Sequence, residues 1–295
     1  MESLKLIGNT PIVNVENNQV AVKLEKFNLG GSIKDRAVLG MLNDAMNKNL
    51  INKDSILIEA TSGNTGIALA LIGSLYKLKV VIVMPETMSN ERRQLVKAYG
   101  AKLILSKGSE GMNGAIKLVN SMMKENSNYI SLNQFNNPAN VNIHYETTGQ
   151  EIIKQVPDVD MFVATVGTGG TYMGISKALK EYNSNIKCYA GEPTNSNVLS
   201  GGTGNAHAIQ GIGAGFIPSI IDFNYIDDIM LVDDEEALNE TVNFVKETGV
   251  FVGISSGANI ALARRLAKEN PGKKIVTIAP DGGEKYLSVL NFEVK

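Results

Sequence analysis

The sequence predicts an α/β protein built on mostly parallel sheet, and three observations carry that prediction. Short apolar runs such as Val80–Met84 and Phe162–Val166 are rich in β-branched residues and lack polar alternation, which suits strands covered on both faces. Nearly every such run is followed by a longer stretch with helical apolar spacing. Where strand pattern gives way to helix pattern, glycine, serine, threonine and asparagine gather, and the carboxyl ends of parallel strands are where such sheets hold ligands.

Taken in order, Leu4–Val13 reads as an extended opening with a turn at Gly8-Asn9, and Val20–Glu25 as the first strand. Asn28-Leu-Gly-Gly-Ser-Ile-Lys-Asp-Arg36 then runs into a helical pattern over Ala37–Met46. Lys34 falls on the first turn of that helix, where the macrodipole disfavours a cation, so a lysine there suits a role for its neutral amine. The glycine pair before it is not a Walker loop, which needs four residues between its first glycine and Gly-Lys-Ser/Thr. Ser55–Glu59 reads as a strand, Ala60–Gly66 as a loop and Ile67–Tyr76 as a helix. Thr61, Ser62, Asn64 and Thr65, set around two glycines at a helix N-terminus, make an anion seat rich in side-chain donors and suited to a carboxylate.

The alternation continues with strands at Val80–Met84, Ala101–Leu105 and Tyr129–Leu132 and helices at Ser89–Tyr99 and Gly111–Glu125. The polar loop Asn133–Asn140 reads as a crossing between two domains, and Tyr145–Gln155 as a helix. Phe162–Val166 then breaks into Gly167-Thr-Gly-Gly-Thr171, with a helix from about Tyr172 to Glu181. Glycines there let the backbone turn sharply and approach a ligand, Thr168 and Thr171 add hydroxyls, and the helix aims its free N–H groups at the same spot. This is a second anion seat, fitted to a phosphate. It is not the dinucleotide fingerprint: the spacing is Gly-x-Gly-Gly-x-x-x-Gly, and the acidic residue about 20 positions on, Glu192, sits in a Gly-Glu-Pro turn. Ile186–Ala190 is a strand, and the Gly/Asn/Ser-rich loop Thr194–Gly215 is long enough to be a working part. Strand Ile229–Val232, helix Glu235–Thr248, the segment Phe251–Gly257, helix Ala258–Glu269 and strand Lys274–Ala279 follow.

Composition narrows the function classes. A chain of 295 residues holds one large or two modest domains. Its net charge of −2 gives no electrostatic case for nucleic acid or an anionic membrane. Runs such as Ile67–Leu75 are too short to span a bilayer, and the start of the chain lacks the basic and apolar regions of a signal peptide, so the expected compartment is the cytoplasm. A single cysteine, Cys188, excludes an internal disulfide and reads as a buried thiol on a strand; two histidines, His144 and His207, exclude an ordinary zinc cage, so no metal is expected.

Gly253-Ile-Ser-Ser-Gly257 fits the Gly-x-Ser-x-Gly elbow of serine hydrolases, but that class needs a histidine after the serine and none follows His207. A different account uses more of the chain: a phosphate seat, a carboxylate seat, a lysine opening a helix, and a serine at a later strand end. Lysine with phosphate is what pyridoxal phosphate requires, its aldehyde forming a Schiff base with the amine.

At this point the sequence as a whole becomes informative. Ile7-Gly-Asn-Thr-Pro11, Gly30-Gly-Ser-Ile-Lys-Asp-Arg36, Glu59-Ala-Thr-Ser-Gly-Asn-Thr-Gly66, Gln134-Phe-Asn-Asn-Pro138, Gly167–Thr171, Gly211–Phe216 and Gly253–Gly257 together closely resemble the cysteine synthase (O-acetylserine sulfhydrylase) family of fold-type II pyridoxal-phosphate enzymes. They match in order over nearly the whole chain, and Glu59-Ala-Thr, Met84-Pro, Glu91-Arg-Arg93, Gly111-Met112 and Pro280-Asp are similar to the B-type isozyme. The resemblance implies two three-layer α/β domains with mostly parallel sheets, like the tryptophan synthase β subunit: a smaller mobile domain over 35–139 and a larger one of 1–34 plus 140–295. It implies that Lys34 carries the cofactor and moves the Cα proton, that Asn64 meets the ring hydroxyl, and that Gly167, Thr168, Gly169, Gly170 and Thr171 bind the phosphate. It assigns Thr61, Ser62, Asn64, Thr65 and Gln134 to the substrate carboxylate. Ser255 is assigned to the pyridine nitrogen, with Ser256 next door as the other candidate.

The implied reaction is β-replacement through an aminoacrylate, making L-cysteine from O-acetyl-L-serine and sulfide or thiosulfate. The alternative is consumption of cysteine with release of hydrogen sulfide as lanthionine, serine or cystathionine forms. A homodimer, and a role as binding partner of serine acetyltransferase, are also implied. Two departures bear on substrate choice: Leu29 stands where the family has proline, and Tyr172-Met173-Gly174 stands where the family's Gly-Gly-Thr-Ile is followed by Thr-Gly.

Overall fold

A computed structural model of the chain describes residues 1–61, 63–287 and 290. The chain runs through β1 (Ile12–Val15), β2 (Val20–Leu24), α1 (Lys34–Asn47), β3 (Ile56–Ala60), α2 (Asn64–Leu75), β4 (Lys79–Pro85), α3 (Asn90–Ala98), β5 (Lys102–Ser106), α4 (Gly111–Glu125) and β6 (Tyr129–Ile130). It continues through α5 (Pro138–Ile143), a π-helical turn (His144–Gly149), α6 (Gln150–Gln155), β7 (Met161–Thr165), α7 (Gly170–Tyr182), β8 (Lys187–Pro193), β9 (Asp228–Val232), α8 (Asp234–Thr248), α9 (Ile254–Glu269) and β10 (Ile275–Ala279).

These strands form two sheets. A six-stranded sheet has the order β1-β2-β10-β7-β8-β9, and a four-stranded sheet the order β5-β4-β3-β6. All pairings are parallel except β1 with β2. The period of two along each strand explains the layers. On β10, Ile275 and Ala279 join Phe244, Ile260 and Leu262 of α8 and α9 on one face, while Val276 and Ile278 join Ile152, Ile175 and Leu179 of α6 and α7 on the other. On the smaller sheet, Leu57 and Ile82 pack on α1 and α2, and Ile58, Val81 and Val83 on α4. Each sheet is therefore the middle of three layers, as the unalternated apolar runs require.

A buried ion network ties β2, α1 and α6 together. Arg36 meets Glu25 at 2.8 Å and Glu151 at 2.6 Å, and Lys23 meets Glu151 at 2.8 Å. Cys188 lies wholly inside the core, and burial pushes its thiol up to about 11, so it is the inert thiol that its strand position implied.

Several expectations are corrected. Residues Glu2–Leu6 form a 3-10 helix rather than extended chain, with Lys5 paired to Glu2 one turn away. α2 begins at Asn64 and α9 at Ile254, each several residues earlier than expected, because Gly63 and Gly253 are the N-caps and the small polar residues after them lie on the first turn. The region before Ser255 is a lone bridge from Val252 to Gly282 rather than a strand. Glu192 is not in a turn: Gly191-Glu192-Pro193 ends β8, and the Glu192 carboxylate accepts from Leu199 N, Ser200 N and Ser200 Oγ at 2.6–2.9 Å, anchoring the start of the long loop. The helix expected over 145–155 opens as a π-turn. Among the described residues no helix is long and apolar enough to cross a membrane, and no three His, Cys, Asp or Glu side chains gather to hold a metal.

Candidate active site

The carboxyl ends of β3, β7 and β10 open onto one cavity of about 830 Å³, lined by Lys34, Thr61, Gln134, Gly167, Thr171 and Ser255 among others. Lys34 reaches it because the segment before α1 is tied to the end of β10: Ile33 N–H donates to the Pro280 carbonyl at 2.8 Å, and Ser32 bridges Asp281. Among the described residues the Lys34 amine makes no hydrogen bond or ion pair. Burial lowers its pKa, with the Asp281 carboxylate pulling the other way. The result is a lysine biased toward the free amine, facing the cavity and available for a covalent partner.

The glycine turn after β7 forms the phosphate-type seat. Gly169 is the N-cap of α7 with φ of +92°, a conformation that suits glycine. A side chain at Gly167 would bring its Cβ within 2.5 Å of the Gly211 carbonyl oxygen, so this turn packs directly on the long loop. The first helical bond runs from Met173 N–H to the Gly169 carbonyl at 2.9 Å, which leaves the amides of Gly170, Thr171 and Tyr172 ahead of it for an anion. Asn140 Nδ2 donates to Thr168 Oγ1 at 3.1 Å, so the Thr168 proton is free to point elsewhere. Gly170 does not line the cavity; the Asn140 carboxamide packs where its side chain would be.

The second seat stands at the start of α2. Thr65 Oγ1 donates to Gln134 Oε1 at 2.9 Å, which sets the Gln134 amide so that its NH₂ remains for a carboxylate. Thr61 Oγ1 accepts from Gly63 N–H at 3.2 Å, keeping its own proton. Thr61, Asn64 and Thr65 all line the cavity, and Ser62 lies outside the described residues.

Ser255 and Ser256 occupy different positions. Ser255 lines the cavity from the first turn of α9, whereas Ser256 is fully buried with its Oγ 3.5 Å from the Asp281 carbonyl. Neither histidine serves Ser255: His144 lies against Thr148 and Thr171, and His207 against the Gly213 carbonyl. The hydrolase elbow therefore has no base. Tyr172 and Met173 are core residues, Tyr172 stacking on Phe162 and donating to the Tyr225 carbonyl at 3.2 Å.

Four residues at the site escaped sequence reasoning: Asn140, His144, Asp281 and Lys285. Asn140 bridges the two seats, its Nδ2 also donating to the Gln134 carbonyl at 2.9 Å. His144 Nε2 lies 3.3 Å from Thr171 Oγ1, and burial holds its pKa well below the usual value, with Arg36 and Lys34 adding to the effect, so the imidazole is neutral. Asp281 and Lys285 flank Asn64 at 2.7 Å each. Asp281 and Lys285 stand in the turn-like stretch Pro280-Asp-Gly-Gly-Glu-Lys285 and Asn140 just inside the Asn137-Pro138 helix start, but only tertiary contact ties these residues to the site.

A buried amine facing the cavity, a cradle of helix-start amides and hydroxyls, and a separate carboxylate seat fit a phosphate-bearing aldehyde cofactor and an amino acid beside it. The class so defined is an α/β enzyme that carries its cofactor on a lysine. Residues 4–281 match the family described as pyridoxal-phosphate dependent enzyme. A cysteine synthase from a Flavobacterium species is 49% identical over 274 residues, spanning 91% of this chain and 89% of that protein. The crystal structure of a cysteine synthase (OASS) from Entamoeba histolytica has a TM-score of 0.95 at 42% identity, covering 99% of this chain and 90% of that one. A hydrogen sulfide-producing enzyme from Fusobacterium nucleatum has a TM-score of 0.92 at 43% identity, with 97% of each chain covered. The chain belongs to the pyridoxal-phosphate-dependent enzymes and, within them, to the cysteine synthase family.

Proposed function

We propose that the protein makes L-cysteine from O-acetyl-L-serine and sulfide by β-replacement, with acetate leaving; with thiosulfate as the nucleophile the same replacement gives S-sulfo-L-cysteine. The observation that carries this reading is the Lys34 amine, without a hydrogen-bond partner among the described residues and set in one cavity with both anion seats. Lys34 and the turn from Gly167 to Thr171 hold the cofactor, with Asn64 at the ring hydroxyl and Ser255 at the ring nitrogen. When bound, pyridoxal phosphate supplies an electron sink for the bond made or broken at the substrate's Cα. Thr61, Ser62, Thr65 and Gln134, with Asn64 through its helix-start backbone N–H, hold the substrate carboxylate and so fix which Cα bond faces Lys34. The Lys34 amine, biased toward its neutral form by burial, takes the Cα proton and later returns it. A serine hydroxyl is too weak an acid to protonate a pyridine, which favours loss of a β-substituent over transamination.

Closure of residues 35–139 against the rest excludes water during the reaction. A homodimer in the cytoplasm, with serine acetyltransferase as a partner, completes the reading. A second direction, cysteine consumed and hydrogen sulfide released, is supported by the likeness to the Fusobacterium nucleatum enzyme. The test is Lys34→Ala: cysteine formation from O-acetylserine and sulfide falls by at least roughly 10²-fold, and activity equal to the wild type overturns the assignment.

A further inference from the structure

The Asn64 side chain is already engaged, and by two groups that dictate its orientation. From the start of α2 its carboxamide reaches the segment after β10, where Nδ2 donates to Asp281 Oδ2 at 2.7 Å and Oδ1 accepts from Lys285 Nζ at 2.7 Å. A carboxylate only accepts and an ammonium only donates, so these partners fix which end of the amide carries nitrogen. Turning the amide over would set oxygen against carboxylate and NH₂ against ammonium. Both partners are anchored. Asp281 is fully buried and its Oδ2 also accepts from Tyr286 OH at 2.7 Å, while Lys285 Nζ donates to the Gly31 carbonyl at 3.2 Å on the segment leading to Lys34. Asn64 lines the cavity; Asp281 and Lys285 do not, and stand behind it.

A primary amide has two N–H bonds, and Asp281 accepts one of them. We propose that Asp281 and Lys285 are positioning residues that clamp Asn64 so that its remaining N–H, and never its carbonyl, meets the ring oxygen of pyridoxal phosphate. This rests on the reading that Asn64 is the residue at that oxygen. A donor there stabilises the ring oxygen without its proton, the form that absorbs in the visible; a carbonyl there demands the protonated form, which absorbs in the near ultraviolet. The clamp thus sets the electronic state of the cofactor from outside its contact shell.

The experiment titrates the visible and near-ultraviolet bands of the cofactor-loaded protein against pH for the wild type, Asn64→Ala, Lys285→Met, Asp281→Ala and the Asn64→Ala/Lys285→Met pair. Loss of a charge-assisted hydrogen bond changes such an equilibrium by roughly tenfold. Lys285→Met and Asp281→Ala therefore move intensity from the visible to the near-ultraviolet band by about that factor, in the same direction as Asn64→Ala. The double variant matches Asn64→Ala alone, since the lysine acts only through the amide. Lys285→Arg, still a pure donor, restores the wild-type bands, which a merely damaged fold does not explain. Unmoved bands in Lys285→Met alongside moved bands in Asn64→Ala overturn the clamp and leave the reading of Asn64 standing. Unmoved bands in Asn64→Ala overturn both, and a double variant shifted beyond Asn64→Ala overturns the clamp by showing that Lys285 acts on the ring directly.

Discussion

Glu59 gives the most quantitative handle on the cavity wall. It lies on β3, is 8% exposed, and accepts from Ser131 Oγ at 2.9 Å. Burial pushes its carboxyl from an ordinary 4.5 up to about 7, against the opposing hydrogen bonds of Ser131 and the Leu132 amide. The folded protein thus favours the protonated acid. Below about pH 4.5 the folded and unfolded chains are both protonated at this site and the burial of Glu59 carries no ionisation penalty. As pH rises the unfolded chain ionises first, and stability is lost until the folded group has also ionised, beyond about pH 7. At about 1.4 kcal/mol per pH unit, a rise from 4.5 to about 7 amounts to about 3 kcal/mol. Glu59→Gln keeps an acceptor for Ser131 and cannot ionise. Its stability relative to the wild type, measured by urea denaturation of the cofactor-free protein, starts near zero at about pH 4 and grows to about 3 kcal/mol by about pH 8. Asp35, also pushed up to about 7 by burial, is present in both proteins and cancels in the difference. A gap that stays constant across this range, or narrows as pH rises, refutes the reasoning.

Two further outcomes follow from the packing. Gly167→Ala sets a Cβ 2.5 Å from the Gly211 carbonyl oxygen, a backbone atom that cannot swing aside; affinity for pyridoxal phosphate by equilibrium dialysis falls by about tenfold or more, and wild-type affinity would show that the turn does not seat the cofactor. Arg36→Met leaves the fully buried Glu25 without its cation; unfolding free energy drops by about 3–5 kcal/mol, and a loss under about 1 kcal/mol would show that Glu25 is satisfied without it.

The sheets were legible because their strands are buried on both faces: apart from Lys79, Thr165 and Thr277, β4, β7 and β10 are runs of apolar residues, so no alternation hides them. The strand expected over Tyr129–Leu132 stops at Ile130, and the next residue, Ser131, donates its hydroxyl to Glu59. Helix starts were legible only to within a turn, since Asn64, Thr65 and Ser255 are residues common to loops yet sit just inside helices whose glycine N-caps free their amides. Lys34 and the turn at Gly167 are local features, a glycine cluster meeting a helix start, and sequence suffices for those. The contacts of Asn64 with Asp281 and Lys285 span more than 200 positions of chain. Likewise His144, the first residue of the π-turn, meets Thr171 at the start of α7. No period or spacing encodes such pairs.

The central claim is tested most directly by the visible absorption of the purified protein, recorded alone, then with O-acetylserine, then with sulfide. The account predicts a yellow protein whose band shifts on adding O-acetylserine and returns on adding sulfide as cysteine forms. A shift with cysteine alone, accompanied by rapid release of sulfide, assigns the protein to the cysteine-consuming direction. A protein that shows no visible band even after pyridoxal phosphate is supplied contradicts the account.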